Sequence, residues 1–376
     1  MNFFYRGRRD ALYIGGKLNI PTLKIGDHTA RIPIIQGGMG VGVSLHRLAS
    51  AVANEGGIGI IATAGIGMLE PDGSRHYLET SIRALKREIH LARRLAPQGV
   101  IGVNIMVSTN DYEIMVNVSL KENVDVIFCG AGLPLTLPKF KSDYLNSQTA
   151  LVPIVSSGRA ANLISKRWIK HYNYVPDGFV VEGPLAGGHL GFKMQDLVSN
   201  KFNLEELVKD VLEITKPLEE KYKKKIPVIA AGGIYTGYDI AKFLRMGASG
   251  VQMATRFVAT HECDASIEFK KNYIKAKKED VILIESPLGM PGRAINNEFL
   301  ESVKIGEKKP FKCVFHYLKD ARIEKAPYCI ALALTNAQKG NLKDGFTFAG
   351  YNAWRINRIL SVKELMQELT DELKKA

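Results

Sequence analysis

Cysteine is scarce in this 376-residue chain, which has only Cys129, Cys263, Cys313 and Cys329. None of them forms a Cys-x-x-Cys pair, and so few thiols in so long a chain make no disulfide scaffold. Cys313 and His316 are at most half of a metal site, because the remaining ligands are missing, so no metal is expected. No apolar run reaches the ~20 residues that span a bilayer. The start, Met1 to Arg9, lacks the apolar core of a secretory signal. A cytoplasmic protein without a membrane partner is therefore expected. No Gly-x-Gly-x-x-Gly follows the first apolar run, which counts against a dinucleotide-binding doubly wound sheet. No basic motif is interleaved with aromatics, so nucleic acid is not an expected partner.

What is present is a globular composition, 46% hydrophobic and 24% charged. The net charge is +13. Its lysines are scattered, as in Lys221 to Lys225 and Lys275 to Lys278, which read as solvated helix faces. A surface of that sign attracts anionic small molecules or an acidic protein. Glycine is frequent, with 35 residues, and many follow apolar runs.

Eight such runs occur in order: Ile32–Gln36, Ile58–Ala62, Val100–Ile105, Val124–Phe128, Leu151–Val155, Gly178–Val181, Pro227–Ala231 and Gly250–Ala254. Each is short and continuously apolar, as strands buried on both faces are. Helical patterns separate them, at about Ser44–Asn54 with Ser44 as cap, then Ser81–Leu95, Asp111–Glu122, Ala160–His171, Leu204–Lys223 and Tyr238–Met246. Strict strand–helix alternation with eight members predicts an α/β fold, a (β/α)8 TIM barrel, over residues 1–265. The open doubly wound sheet explains the count less well. Residues 266–350 lose the alternation and carry spaced prolines; they read as a small, mainly helical lobe near the barrel mouth. Residues 351–376 read as a C-terminal helix returning to the barrel, opened by a capping box from Ser361 to Glu364.

Barrel sites lie at the carboxyl ends of the strands. Those ends carry Gly37-Gly38-Met39, Thr63-Ala64-Gly65, Asn104, Gly130-Ala131-Gly132, Ser156-Ser157, Gly187-Gly188-His189, Gly232-Gly233 and Ala254-Thr255. Glycines and small polar residues make a rim for a flat ligand held by backbone amides, not a metal site. The glycines after strand seven and Ala254-Thr255 after strand eight fall where barrels commonly bind phosphate. Asn104 is a candidate for the edge of a heterocycle, or an ordinary strand-end asparagine. Met39 is either a thioether against an aromatic ring or core filler. Ser156 is a further candidate contact, and Cys129 reads as a small buried hydrophobe. His189, at the tip of a glycine-rich turn, is the candidate proton carrier; its plain alternative is a solvated turn histidine. Glu182 is either a second base or a strand residue turned away from the rim.

Ile34-Ile35-Gln36-Gly37-Gly38-Met39, Gly102-Val103-Asn104, Ala186-Gly187-Gly188-His189, Ile229 to Ile234 and Gln252 to Phe257 resemble the nitronate monooxygenase family, formerly called 2-nitropropane dioxygenase. Its relatives include the type II flavin-dependent enoyl-acyl-carrier-protein reductases. The resemblance covers roughly residues 20 to 300. It implies non-covalent FMN, with the phosphate on Gly232, Gly233, Ala254 and Thr255. The isoalloxazine would lie against Gly38 and Met39, with Asn104 at its edge. Gly37, Gly130, Ser156, Gly187 and Gly188 complete the expected cofactor contacts, and His189 matches the active-site histidine. Ala254 stands where many members carry glycine, the segment between His189 and strand seven is longer, and the C-terminal part is extended.

The implied reaction is oxidation of alkyl nitronates with dioxygen, a cationic rim drawing in the small anionic substrate. The alternatives are an NAD(P)H-dependent enoyl reductase working with an acidic acyl-carrier protein, a quinone reductase, and a flavin-binding protein without turnover. A homodimer with the C-terminal lobe at the contact is also an expectation.

Overall fold

Each of the eight apolar runs forms a strand, and the strands close into a parallel barrel. The computed structural model describes residues 13–14, 17–18, 20–144, 146–307, 315 and 326–376. The barrel strands are β1 Ile34–Gln36, β2 Ile58–Ala62, β3 Val100–Met106, β4 Val126–Gly130, β5 Ala150–Val155, β6 Phe179–Glu182, β7 Val228–Ala231 and β8 Gly250–Met253. Each pairs in parallel with its sequence neighbours, and β8 closes on β1 through Met253 opposite Gln36.

The continuous apolar character of these strands has a direct cause. Successive side chains point to opposite faces, and both faces are buried. Ile58 and Ile60 of β2 fill the barrel interior with Phe128, Val180 and Ile229. Ile61 of the same strand packs outward against the helical layer, as do Ile101, Val103 and Ile105 of β3. A hairpin of Leu23–Ile25 and His28–Ala30 plugs the amino end, placing Leu23 and Ile25 beneath the interior cluster.

The helices run Tyr77–Leu95, Tyr112–Lys121, Gly158–Tyr172, Leu204–Tyr222 and Gly237–Arg245, close to their expected bounds. Ser44 is a correction. The helix after β1 spans His46–Asn54, and Leu45 is its N-cap without a side-chain bond. Its first amides are taken by carboxylates: Leu45 N–H donates to Asp264 Oδ2 at 2.9 Å and His46 N–H to Glu88 Oε2 at 3.1 Å. Ser44 Oγ instead accepts from Met39 N–H at 2.9 Å, closing the turn that leaves β1.

Residues 266–350 contain helices Ile267–Lys275, Glu298–Lys304 and Ile330–Gln338. They also contain antiparallel strands that the sequence pattern had hidden: β9 Val281–Glu285, β10 Pro291–Ile295 and β11 Thr347–Phe348. These elements share a cluster with Phe299, Tyr328, Ile330 and Phe346 that is separate from the barrel cores. The helix Val362–Lys375 opens with the expected Ser361–Glu364 capping box and buries Leu365, Leu369 and Leu373 in the barrel's outer core. Cys313 and His316 lie outside the described residues, and Cys129, Cys263 and Cys329 are buried. Among the described residues, no helix is long and apolar enough to cross a membrane, and no group of three or more His, Cys, Asp or Glu gathers as metal ligands.

Candidate functional site

The carboxyl ends of the strands surround a cavity of about 520 Å³, within the range of small-molecule sites. All thirteen residues singled out from the sequence line it: Gly37, Gly38, Met39, Asn104, Gly130, Ser156, Gly187, Gly188, His189, Gly232, Gly233, Ala254 and Thr255. The alternation of each strand puts the polar ones there. Ile101, Val103 and Ile105 face the helices, so Asn104 faces the barrel axis. Val181 likewise packs outward and Val180 inward, which turns Glu182 into the cavity. Gln252 enters by the same rule.

Several polar groups here have no partner in the protein. Among the described residues nothing bonds the side chains of Asn104, Ser156, Glu182 or Gln252, and no acceptor meets the amide N–H of Gly233 or Thr255. Gly232 and Gly233 have φ of 93° and 85°, a left-handed backbone that suits glycine and turns amides toward a ligand. The neighbouring groups are held in place: Asn352 Nδ2 donates to Gly233 O at 2.7 Å, and Gly350 N–H donates to Thr255 Oγ1 at 3.2 Å. Unfilled donors beside a carboxamide-lined space form a set that fits a phosphate and the edge of a flavin ring.

His189 is positioned by the C-terminal region, not by the barrel. Gly188–His189 forms a two-residue strand antiparallel to β10, Gly188 opposite Arg293 and His189 opposite Gly292. Its Nε2 is hydrogen-bonded to Ser286 Oγ at 2.8 Å. The Phe348 ring meets the imidazole edge-on, centroids 5.0 Å apart. Burial pushes the imidazole pKa down to about 4, so His189 is neutral at pH 7. Burial pushes Glu182 the other way, up to about 7, so its carboxyl is close to half protonated at neutral pH.

Two features differ from expectation. The cationic rim is not there: among the described residues, no lysine or arginine lines the cavity. Net charge is a sum over the whole chain and carries no position. The second is the contribution of the C-terminal region: Met290, Phe348, Tyr351 and Asn352 all line the cavity. The continuous β-branched and aliphatic run Val281-Ile282-Leu283-Ile284 before a Pro-Leu-Gly turn was the available signal for the hairpin. Gly187 has to be glycine for this contact, because a Cβ there would lie 2.5 Å from the backbone of Ala349 and Gly350.

The family model described as nitronate monooxygenase matches residues 22–372. Among curated relatives, the (3aS,4S,5R,7aS)-5-hydroxy-7a-methyl-1-oxo-octahydro-1H-indene-4-carboxyl-CoA dehydrogenase of Rhodococcus jostii is 28% identical over 273 residues, 72% of this chain and 65% of that protein. The chain thus spans less than two thirds of that relative, and 66% of its Mycobacterium tuberculosis counterpart. A probable nitronate monooxygenase of Bacillus subtilis is 24% identical over 371 residues, 90% of this chain and 95% of that one. Of the solved structures, FabK from Thermotoga maritima superposes with a TM-score of 0.70 at 28% identity, covering 95% of this chain and 97% of that one. Nitroalkane oxidase from Streptomyces ansochromogenes shares the fold, with a TM-score of 0.69 at 22% identity over 92% of this chain and 96% of that one.

Proposed function

The chain belongs to the nitronate monooxygenase family of flavin-dependent oxidoreductases, and on that premise we propose that it oxidises small alkyl nitronates with dioxygen, using non-covalent FMN. The amides of Gly233 and Thr255 would hold the FMN phosphate, with Gly232 and Ala254 shaping the turns around it. Asn104, with Gln252 and Ser156, would meet the ring edge, and Gly37, Gly38 and Met39 would form the surface beneath it. Gly130, Gly187 and Gly188 would leave room at its sides. When bound, the flavin supplies the electron acceptor that the side chains of this protein lack.

The chain's own contribution is binding, orientation and proton placement. The observation that carries the substrate reading is the neutral, half-buried His189 at the mouth. A base held near 4 is poorly matched to pulling a proton from carbon at pH 7. It is well suited to hydrogen-bonding a substrate that arrives already ionised. We assign the Ser286 hydroxyl as the donor to Nε2, the tautomer that would leave the imidazole proton on Nδ1 and one N–H for an anionic oxygen. The C-terminal segment contributes Phe348 and Tyr351 to the cavity wall.

A second reading has its own support. The likeness to FabK extends over 97% of that chain, and the first relatives are named for a carboxyl-CoA substrate. It assigns the cavity to a thioester-borne substrate, carried on coenzyme A or an acyl-carrier protein, with NAD(P)H as donor or acceptor. Anaerobic titration of the holoenzyme decides between them. Bleaching of the flavin by an alkyl nitronate and not by NADH or NADPH is the expected result. Rapid bleaching by a nicotinamide donor with none by nitronate would replace the first reading with the second.

A further inference from the structure

Among the described residues the cavity has no cationic lining, yet one guanidinium is buried directly behind the turn that carries His189. Arg293, in β10, is 6% exposed. Its Nη1 donates to Pro184 O at 2.6 Å and to Ala186 O at 2.7 Å. Both carbonyls belong to the turn from Glu182 to His189, and Ala186 itself lines the cavity. Tyr351, another lining residue, has its ring centroid 5.9 Å from the guanidinium carbon. Among the described residues no carboxylate lies within ion-pair distance of Arg293.

A buried cation without a counter-charge is unfavourable unless something uses it. Apolar side chains could have closed this sheet, and the two carbonyls need only neutral donors. Burial pushes the Arg293 pKa down to about 10, which still leaves it charged at neutral pH. Its field therefore reaches the cavity through the 184–186 turn, whose Ala186 carbonyl it binds. Backbone pairing of Gly188 with Arg293 ties the same residue to the strand of His189.

We propose that Arg293 is a positioning residue that fixes the His189 turn and gives the cavity its preference for anions over neutral ligands. The proposal rests on the reading of this cavity as the substrate site, and it replaces the cationic rim expected from net charge with a single internal source. Two variants separate geometry from charge. Arg293→Gln removes the charge and, its amide ending two bonds short of Nη1, also the two carbonyl contacts. Arg293→Lys keeps the charge on a different donor.

The probes are acetate and its neutral isostere acetamide. Their dissociation constants are read from flavin absorbance in the holoenzyme and by calorimetry. The wild type is expected to prefer acetate. Arg293→Gln is expected to hold flavin and lose about tenfold of that preference, the scale of one unit charge at this range in a partly screened site. Arg293→Lys is expected to stay within about threefold of wild type. An unchanged acetate preference in Arg293→Gln would overturn the proposal. So would its loss in a folded, flavin-loaded Arg293→Lys, a result that stands even if the glutamine variant fails to fold. The readout needs no turnover, so a protein that oxidised no nitronate could still pass this test, and one that did could still fail it.

Discussion

Glu182 offers the sharpest quantitative test of the site. Its carboxyl faces the cavity, nothing among the described residues bonds it, and burial raises its pKa from 4.5 to about 7. A carboxylic acid whose folded pKa lies above the unfolded value binds more protons in the folded state between those two values. Stability is therefore full at low pH and falls as pH rises from 4.5 toward 7. Between pH 5 and pH 8 the integrated loss is about 2.5 kcal/mol, taking ~1.4 kcal/mol per pKa unit. Water in an open cavity screens part of this, which leaves ~1–2 kcal/mol. Glu182→Gln removes the titration and keeps the shape. In guanidinium unfolding of the flavin-free protein, the glutamine variant should match wild type near pH 5 and exceed it by ~1–2 kcal/mol at pH 8. His189 titrates in the opposite sense, its folded pKa lying below the unfolded one, so stability from that group is lost as pH falls from 6.5 toward 4. Both proteins contain His189, so its contribution cancels in the difference. A stability difference that stays constant from pH 5 to pH 8 would refute the desolvation of the Glu182 carboxyl in the cavity. A gain on removing a charge is expected where function has been favoured over stability.

Other perturbations probe the remaining parts. His189→Ala should keep FMN and lose about 10²–10³-fold in turnover of an alkyl nitronate, the span typical of removing one hydrogen-bond donor to an anionic oxygen; in wild type, no break from His189 should interrupt the rate profile between pH 5 and pH 8, because it is already neutral there. Gly187→Ala drives a Cβ into the backbone of Ala349 and Gly350, and calorimetry should show destabilisation by roughly 1–3 kcal/mol with weakened FMN retention. Ser361→Ala removes the hydroxyl that accepts from Glu364 N–H; thermal unfolding should register a loss of about 1 kcal/mol with flavin content unchanged.

Much of the architecture was legible because it rests on local rules. A parallel strand buried on both faces must be apolar throughout, so β2, β3 and β7 announced themselves. The Ser361–Glu364 box needs only residues three apart, and it formed as expected. Ser44 shows where such rules fail. A serine before an apolar helix is a good cap, but here the turn at Met39 takes its hydroxyl, while Asp264 and Glu88 arrive from distant segments to cap the helix. The β9–β10 hairpin was missed for a related reason: Pro287 and Pro291 read as breakers, yet they bracket its turn.

Taken alone, the order of apolar runs and the residues ending them determined the eightfold barrel, and the carboxyl-end rule then named the cavity's glycines, Asn104, Thr255 and His189. Those consequences follow from periodicity and chain direction, which are properties of a one-dimensional string. Tertiary structure alone decided that Glu182 faces inward, that no lysine among the described residues lines the site, and that His189 is held by Ser286 from 97 residues away. Burial and long-range pairing set those outcomes, because desolvation and hydrogen bonding depend on which atoms meet in space.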